Sequence, residues 1–144
     1  MTTSMLQLVT DELEIRNLLM RLAHLADYGD LKEYAGLFTE DGRWESRPVA
    51  GAPIAAPLVG HADILAAALQ RRADGILGPG THTRHVLTTT TVQISGDTAK
   101  ASSYLTIYKN TNTEPVVKIW ALYADDWRRT HAGWRLASRV ISYD

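Results

Sequence analysis

Two residues combine a reactive type with an unusual position, Asp27 and His85. Asp27 follows Ile15 by twelve residues and Leu22 by five, in a stretch whose apolar residues recur at helical spacing. It therefore neighbours the apolar stripe rather than the solvent face. It also sits near the expected helix C-terminus, where the macrodipole disfavours an anion. A carboxylate placed there needs a compensating partner or a raised pKa. His85 opens a β-rich segment, Thr81-His82-Thr83-Arg84-His85-Val86-Leu87. Alternation puts His85 with Leu87 on one face, and His82, Arg84 and Val86 on the other. Histidine moves protons near neutral pH, which an apolar pocket needs for acid–base chemistry without a cofactor. By spacing alone, a solvated helix-end aspartate and a hydrogen-bonded strand histidine fit these positions equally well. His82 is expected at a surface or subunit contact, and His24, His61 and His131 in structural or solvated places.

The remaining chemistry-bearing patterns exclude more than they offer. No His-x-x-x-His or Glu-x-x-His occurs, and His82-x-x-His85 on a strand would point its rings to opposite faces, so no metal site is expected. Gly78-Pro79-Gly80 lacks the Lys-Ser/Thr of a phosphate loop, and Ser102 and Ser103 lack a nucleophile elbow. With no cysteine among 144 residues, disulfides, thiolate metal sites and a Cys nucleophile are ruled out. A net charge of -1 argues against a nucleic-acid or anionic-membrane surface. No apolar run approaches the roughly 20 residues that cross a bilayer. The start, MTTSMLQLVTDELEI, lacks a basic region followed by an apolar run, so a cytoplasmic protein is expected. The aromatic set of 6 Tyr, 4 Trp and one Phe supplies apolar walls with polar handles, suited to a small hydrophobic ligand.

The elements that position Asp27 and His85 follow from periodicity. A first helix is expected over 11–28, with Asp11 and Glu14 as a capping box and Gly29 as its stop. Asp30 and Glu33 repeat the capping signal and start a short helix through about Phe38. Residues 46–60 hold three of the five prolines and read as a loop with one short strand. A third helix is expected over 61–73, closed by Gly75. Segments 84–95, 98–109, 116–130 and 134–143 are rich in Val, Ile, Thr, Tyr and Trp and are split by turn clusters. Four long strands with short turns make an antiparallel meander. Helices first and strands last predict one α+β domain over 1–144, a curved antiparallel sheet capped by the long helix into an open cone. The outer face is expected to carry Val86, Thr88, Thr90 and Val92, a flat surface that a second copy could cover.

Read as segments, Ala26-Asp27-Tyr28-Gly29-Asp30 through Leu37-Phe38-Thr39-Glu40-Asp41-Gly42 resembles the D-x-G-D … L-F-x-E-D-G run of the SnoaL-like family, in the nuclear transport factor two-like superfamily. Arg84-His85-Val86-Leu87-Thr88-Thr89, Ile94-Ser95-Gly96-Asp97-Thr98-Ala99, and Tyr123-Ala124-Asp125 through Gly133-Trp134-Arg135-Leu136 resemble its later strands, in order. The resemblance implies a cystatin-like α+β cone with an Asp–His pair in its mouth. Scytalone dehydratase, hexachlorocyclohexane dehydrochlorinase and bile-acid dehydratases are similar in using such a pair for cofactor-free elimination. By residue match, Asp27, His85 and Arg139 become the catalytic candidates, with Arg139 expected on the face opposite Leu136. Tyr28, Trp44, Tyr104 and Tyr123 are the candidates for contacting substrate. The implied activity is a lyase or isomerase, a dehydratase or cyclase, that needs no cofactor. Leu22 replaces the dehydrochlorinase's lysine, and Thr89 stands where many relatives carry Asn. The resemblance also admits a non-catalytic subunit like that of ring-hydroxylating dioxygenases. An epoxide-hydrolase-like site using Asp125 and Arg139 is the third reading. A homo-oligomer, dimer or trimer, is expected from the family.

Overall fold

The computed structural model describes residues 3–143; Met1, Thr2 and Asp144, the outermost residues of the domain expected over 1–144, lie outside them. Helix α1 runs Met5–Tyr28 and is about 36 Å long. It starts six residues before the expected point, because Ser4 is its cap and accepts from the Gln7 N–H at 3.1 Å. Asp11 is therefore not a cap. It sits inside the helix at 1% exposure, gripped by Arg129 at 2.8 and 2.9 Å and by the Trp134 indole N–H at 3.0 Å. The extra turns escaped the periodicity reading because Met5, Leu6, Val9 and Leu13 face solvent. From Ile15 onward the expected stripe is buried: Ile15, Leu19, Leu22 and Leu25.

Asp30 caps helix α2, Leu31–Gly36, accepting from the N–H groups of Lys32 and Glu33 at 2.7 and 3.1 Å. The helix ends two residues earlier than expected, because Phe38 already begins strand β1, Phe38–Arg47. That strand was not foreseen: Glu40, Asp41, Arg43 and Glu45 mask its polarity pattern, while Phe38 and Gly42 turn inward. Strand β2, Leu58–Val59, is the short strand of the proline-rich loop, and helix α3 spans Gly60–Ala73. Strands β3 (Arg84–Ser95), β4 (Thr98–Lys109), β5 (Val116–Thr130) and β6 (Gly133–Ser142) follow almost residue for residue where the β-branched runs place them.

The sheet is curved and unclosed, in the order β2-β1-β6-β5-β4-β3. It is antiparallel except where β1 runs parallel to β6, which corrects the wholly antiparallel expectation. Two irregularities reset which way side chains point. In β3 the register with β4 slips between Thr88 and Thr91, around Thr89 with φ +52°. Val86 and Thr88 face outward as expected, but Val92 turns in against the core and Thr90 bonds to Ser103, so the continuous outer stripe of four does not form. In β6 the register with β5 slips between Asp126 and Trp127, leaving Ala137 unpaired. Leu136 and Arg139 thereby share the buried face, against the expectation of opposite faces. Helix α1 lies across the sheet, and the core gathers between its stripe, Phe38, Trp127, Trp134 and Leu136. No described helix is long and apolar enough to cross a membrane.

Candidate active site

The last turn of α1 and the first residues of β3 meet through Asp27 and His85. Asp27, at 3% exposure, accepts from the backbone N–H of His85 at 3.0 Å and pairs with His85 Nδ1 at 2.6 Å. The two side chains are 4% and 8% exposed. The helix end that disfavours an anion is compensated locally. Arg72 of α3 donates to the carbonyls of Leu25, Ala26 and Gly29 at 3.1, 3.2 and 2.9 Å, covering the negative end of α1. Gly29 closes the helix by donating its N–H to Leu25 O, and a Cβ there would stand 2.7 Å from Leu25 Cδ2. Sequence reasoning did not single out Arg72; the paired arginines in the last turn of α3 were its only signal.

His85 forms part of the wall of a cavity of about 140 Å³. Leu31, Leu105, Ile107, Ile119 and Ile141 supply its apolar surface, and Tyr34, Trp44, Tyr123 and Tyr143 its aromatic one. An ionised carboxylate can only accept, so the Asp27 contact assigns the neutral imidazole's proton to Nδ1 and leaves Nε2 with a lone pair. Asp27 does not line that cavity; it lines a surface groove together with His85 itself and with Met20, His24, Tyr28 and Arg84.

Of the four aromatic candidates, Trp44 and Tyr123 line the cavity and Tyr28 and Tyr104 do not. Tyr28 is 53% exposed on the outer groove, edge-on to His24 and beneath the Arg84 guanidinium. Tyr104 is 41% exposed on the outer sheet face, tilted against Trp120. Tyr34 and Tyr143 take their places in the cavity wall.

Arg139 lies close behind the cavity without forming part of its wall. Its guanidinium makes a two-pronged pair with Asp125 at 2.8 Å on each arm and lies 3.9 Å from the centre of the Tyr123 ring. Burial opposes its charge, but Asp125 more than offsets this and holds the guanidinium firmly protonated. Burial likewise pushes the Tyr123 phenol well above its ordinary value, so the hydroxyl remains a donor. No second aspartate bonds to Arg139 among the described residues, so the three-member epoxide-hydrolase arrangement is not assembled there.

Among known proteins, the SnoaL-like domain family matches residues 7–140. No protein of curated function matches the chain. A nuclear transport factor two-like protein with a cystatin-like fold from Novosphingobium aromaticivorans is 29% identical, with a TM-score of 0.82, over 96% of this chain and 84% of that one. A protein from Catenulispora acidiphila, solved in complex with S-DNPA, is 21% identical, with a TM-score of 0.74, over 92% of both chains. ActVI-ORFA from Streptomyces coelicolor is 21% identical, with a TM-score of 0.75, over 92% and 97%. With helix, cone, sheet order and family match all in agreement, the chain belongs to the SnoaL-like domain family and has its cystatin-like fold.

Proposed function

We propose that the protein is a cofactor-independent lyase or isomerase, a dehydratase or cyclase, in which His85 takes a proton from a small hydrophobic cyclic substrate. The observation that carries the reading is the 2.6 Å Asp27–His85 contact at the wall of an apolar cavity. Asp27 fixes the tautomer and stabilises the imidazolium that forms, the division of labour known from hydrolytic triads. His85 Nε2 accepts the proton beside a substrate carbonyl, and the C–H electrons move into an enolate. The Tyr123 hydroxyl, kept protonated by burial, donates to the developing oxyanion. In a dehydration the imidazolium returns its proton to the departing hydroxide, which leaves as water; in an isomerisation it returns it to another carbon. Arg139 positions Tyr123 and does not itself touch the substrate.

A positioned base contributes about 10²–10⁴-fold. The test is proton exchange into deuterated water, followed by NMR on a panel of monocyclic ketones such as cyclohexanone. Wild-type protein is expected to accelerate exchange, and His85→Ala and Asp27→Asn to lose about 10²–10⁴-fold of that rate with unchanged circular dichroism. If either variant exchanges at the wild-type rate, the pair is not the base. That outcome favours a ligand-binding subunit without chemistry.

A further inference from the structure

Among the described residues that line the cavity, the formal charges are of one sign. Over the whole chain 15 Lys and Arg stand against 16 Asp and Glu, yet the cavity is lined by Arg71, Arg72 and Lys118 and by no carboxylate. These three cations are not equivalent. Arg72 is spent on the α1 carbonyls. Lys118 holds one carbonyl, that of Ile76, at 3.2 Å. Arg71 is half-buried, its guanidinium 5.4 Å from the centre of the Trp44 ring, and forms no ion pair or hydrogen bond among the described residues. A guanidinium has five donors in a fixed fork suited to a planar carboxylate, and no described residue fills the fork here.

The space sets the other half of the ligand. A cavity of about 140 Å³ is close to that of an engineered apolar cavity, about 150 Å³, that takes up benzene. That is room for one ring; Ile76 and Lys118 are the exposed residues of the lining, with Arg71 half-buried, so the ligand's far end is placed on their side. The geometry points to a substrate that is an aromatic or cyclic acid, its ring in the cavity beside His85 and its carboxylate at the mouth on the Arg71 fork, with Lys118 opposite. This deepens the reading of the dyad site given above and rests on it for the word substrate, whereas the binding preference stands on the rim alone.

The experiment therefore reads binding and not turnover. Three isosteric probes without an abstractable proton beside a leaving group serve: cinnamate, cinnamamide and cinnamylammonium, titrated with protein-observed NMR. Wild-type protein should bind cinnamate about tenfold more tightly than the amide at low salt, as one charge-assisted contact at a partly exposed site would give. The ammonium should bind most weakly, and the gap should shrink in 0.5 M NaCl. Arg71→Gln should bring cinnamate to the level of the amide while changing the amide less than twofold, and Lys118→Gln should remove a smaller share. His85→Ala should keep the acid preference. Failure of the dyad as base therefore leaves this result standing, and failure here leaves the exchange assay standing. Equal affinity for acid and amide, no binding of any probe by 10 mM, or loss of the preference in His85→Ala would each overturn the inference. So would equal weakening of all three probes by Arg71→Gln, which would show that Arg71 only packs on Trp44.

Discussion

The Asp125–Arg139 pair is where structure and family resemblance part, and removing its partners singly and together decides between a brace and a catalyst. The side chains are 4% exposed for Arg139 and 1% for Asp125, and two bonds of 2.8 Å join them. Arg139→Met keeps much of the stem volume but strands a carboxylate away from water. Asp125→Leu strands a guanidinium. Removing one partner of a buried pair costs about 3–5 kcal/mol, whereas replacing both by apolar groups is commonly near neutral. For a chain of 144 residues each single substitution should therefore lower Tm by roughly 10–15 °C. The double variant Asp125→Leu/Arg139→Met should lie within about 2 kcal/mol of wild type. Urea unfolding at constant slope, followed by circular dichroism, measures all four corners of the cycle. Ketone exchange on the double variant supplies the second reading, and it should keep activity within about tenfold, because Tyr123 and His85 remain. Single substitutions costing under about 1 kcal/mol would mean a hydrated pair that braces nothing. A double variant with wild-type stability but exchange reduced about 100-fold or more would mean that Arg139 acts on the reaction itself.

Two further predictions concern the frame. Arg129, with help from Trp134 and Gln7, holds the Asp11 carboxyl far below its ordinary 3.8, so Asp11 contributes stability that is complete above about pH 4 and lost as pH falls below that. Asp11→Asn should cost about 2 kcal/mol at pH 7, discounted because Arg129 is partly exposed, and should flatten the acid limb of a stability–pH profile; an unchanged limb would refute the assignment. Thr89 is a β-branched residue at φ +52°, so Thr89→Asn should add about 0.5–1 kcal/mol and raise Tm by a few degrees, and a loss of stability would show that the bulge needs the threonine.

Much of this arrangement was legible in the residues, for local reasons. The four long strands are β-branched runs between turn clusters, and Asp30 caps α2 from its own side chain, so neither depends on a distant partner. Asp27 was legible as a misplaced anion because its position follows from helical spacing. The failures share one cause. Strand β1 exists because β6 lies beside it, and its charged outer face hides the pattern. Arg139 was assigned to the wrong face because parity counting assumes an unbroken ladder, and one unpaired residue, Ala137, inverts it. Tyr28 and Tyr104 carry the right chemistry on the wrong side of their elements. Tyr34 of α2 and Tyr143 just past β6 line the cavity only because distant elements fold around it.

The family resemblance singled out Asp27 and His85; by itself the sequence determined the three helices, the four long strands, the α+β class and the absence of thiols. These are properties of composition and short-range period. The meeting of Asp27 with His85 across 58 residues, the spending of Arg72 on a helix end and the lack of a hydrogen-bond or ion-pair partner for Arg71 among the described residues were decided by tertiary structure alone. Each depends on which groups a folded neighbour consumes, and a buried polar group takes its role from its partners rather than from its type.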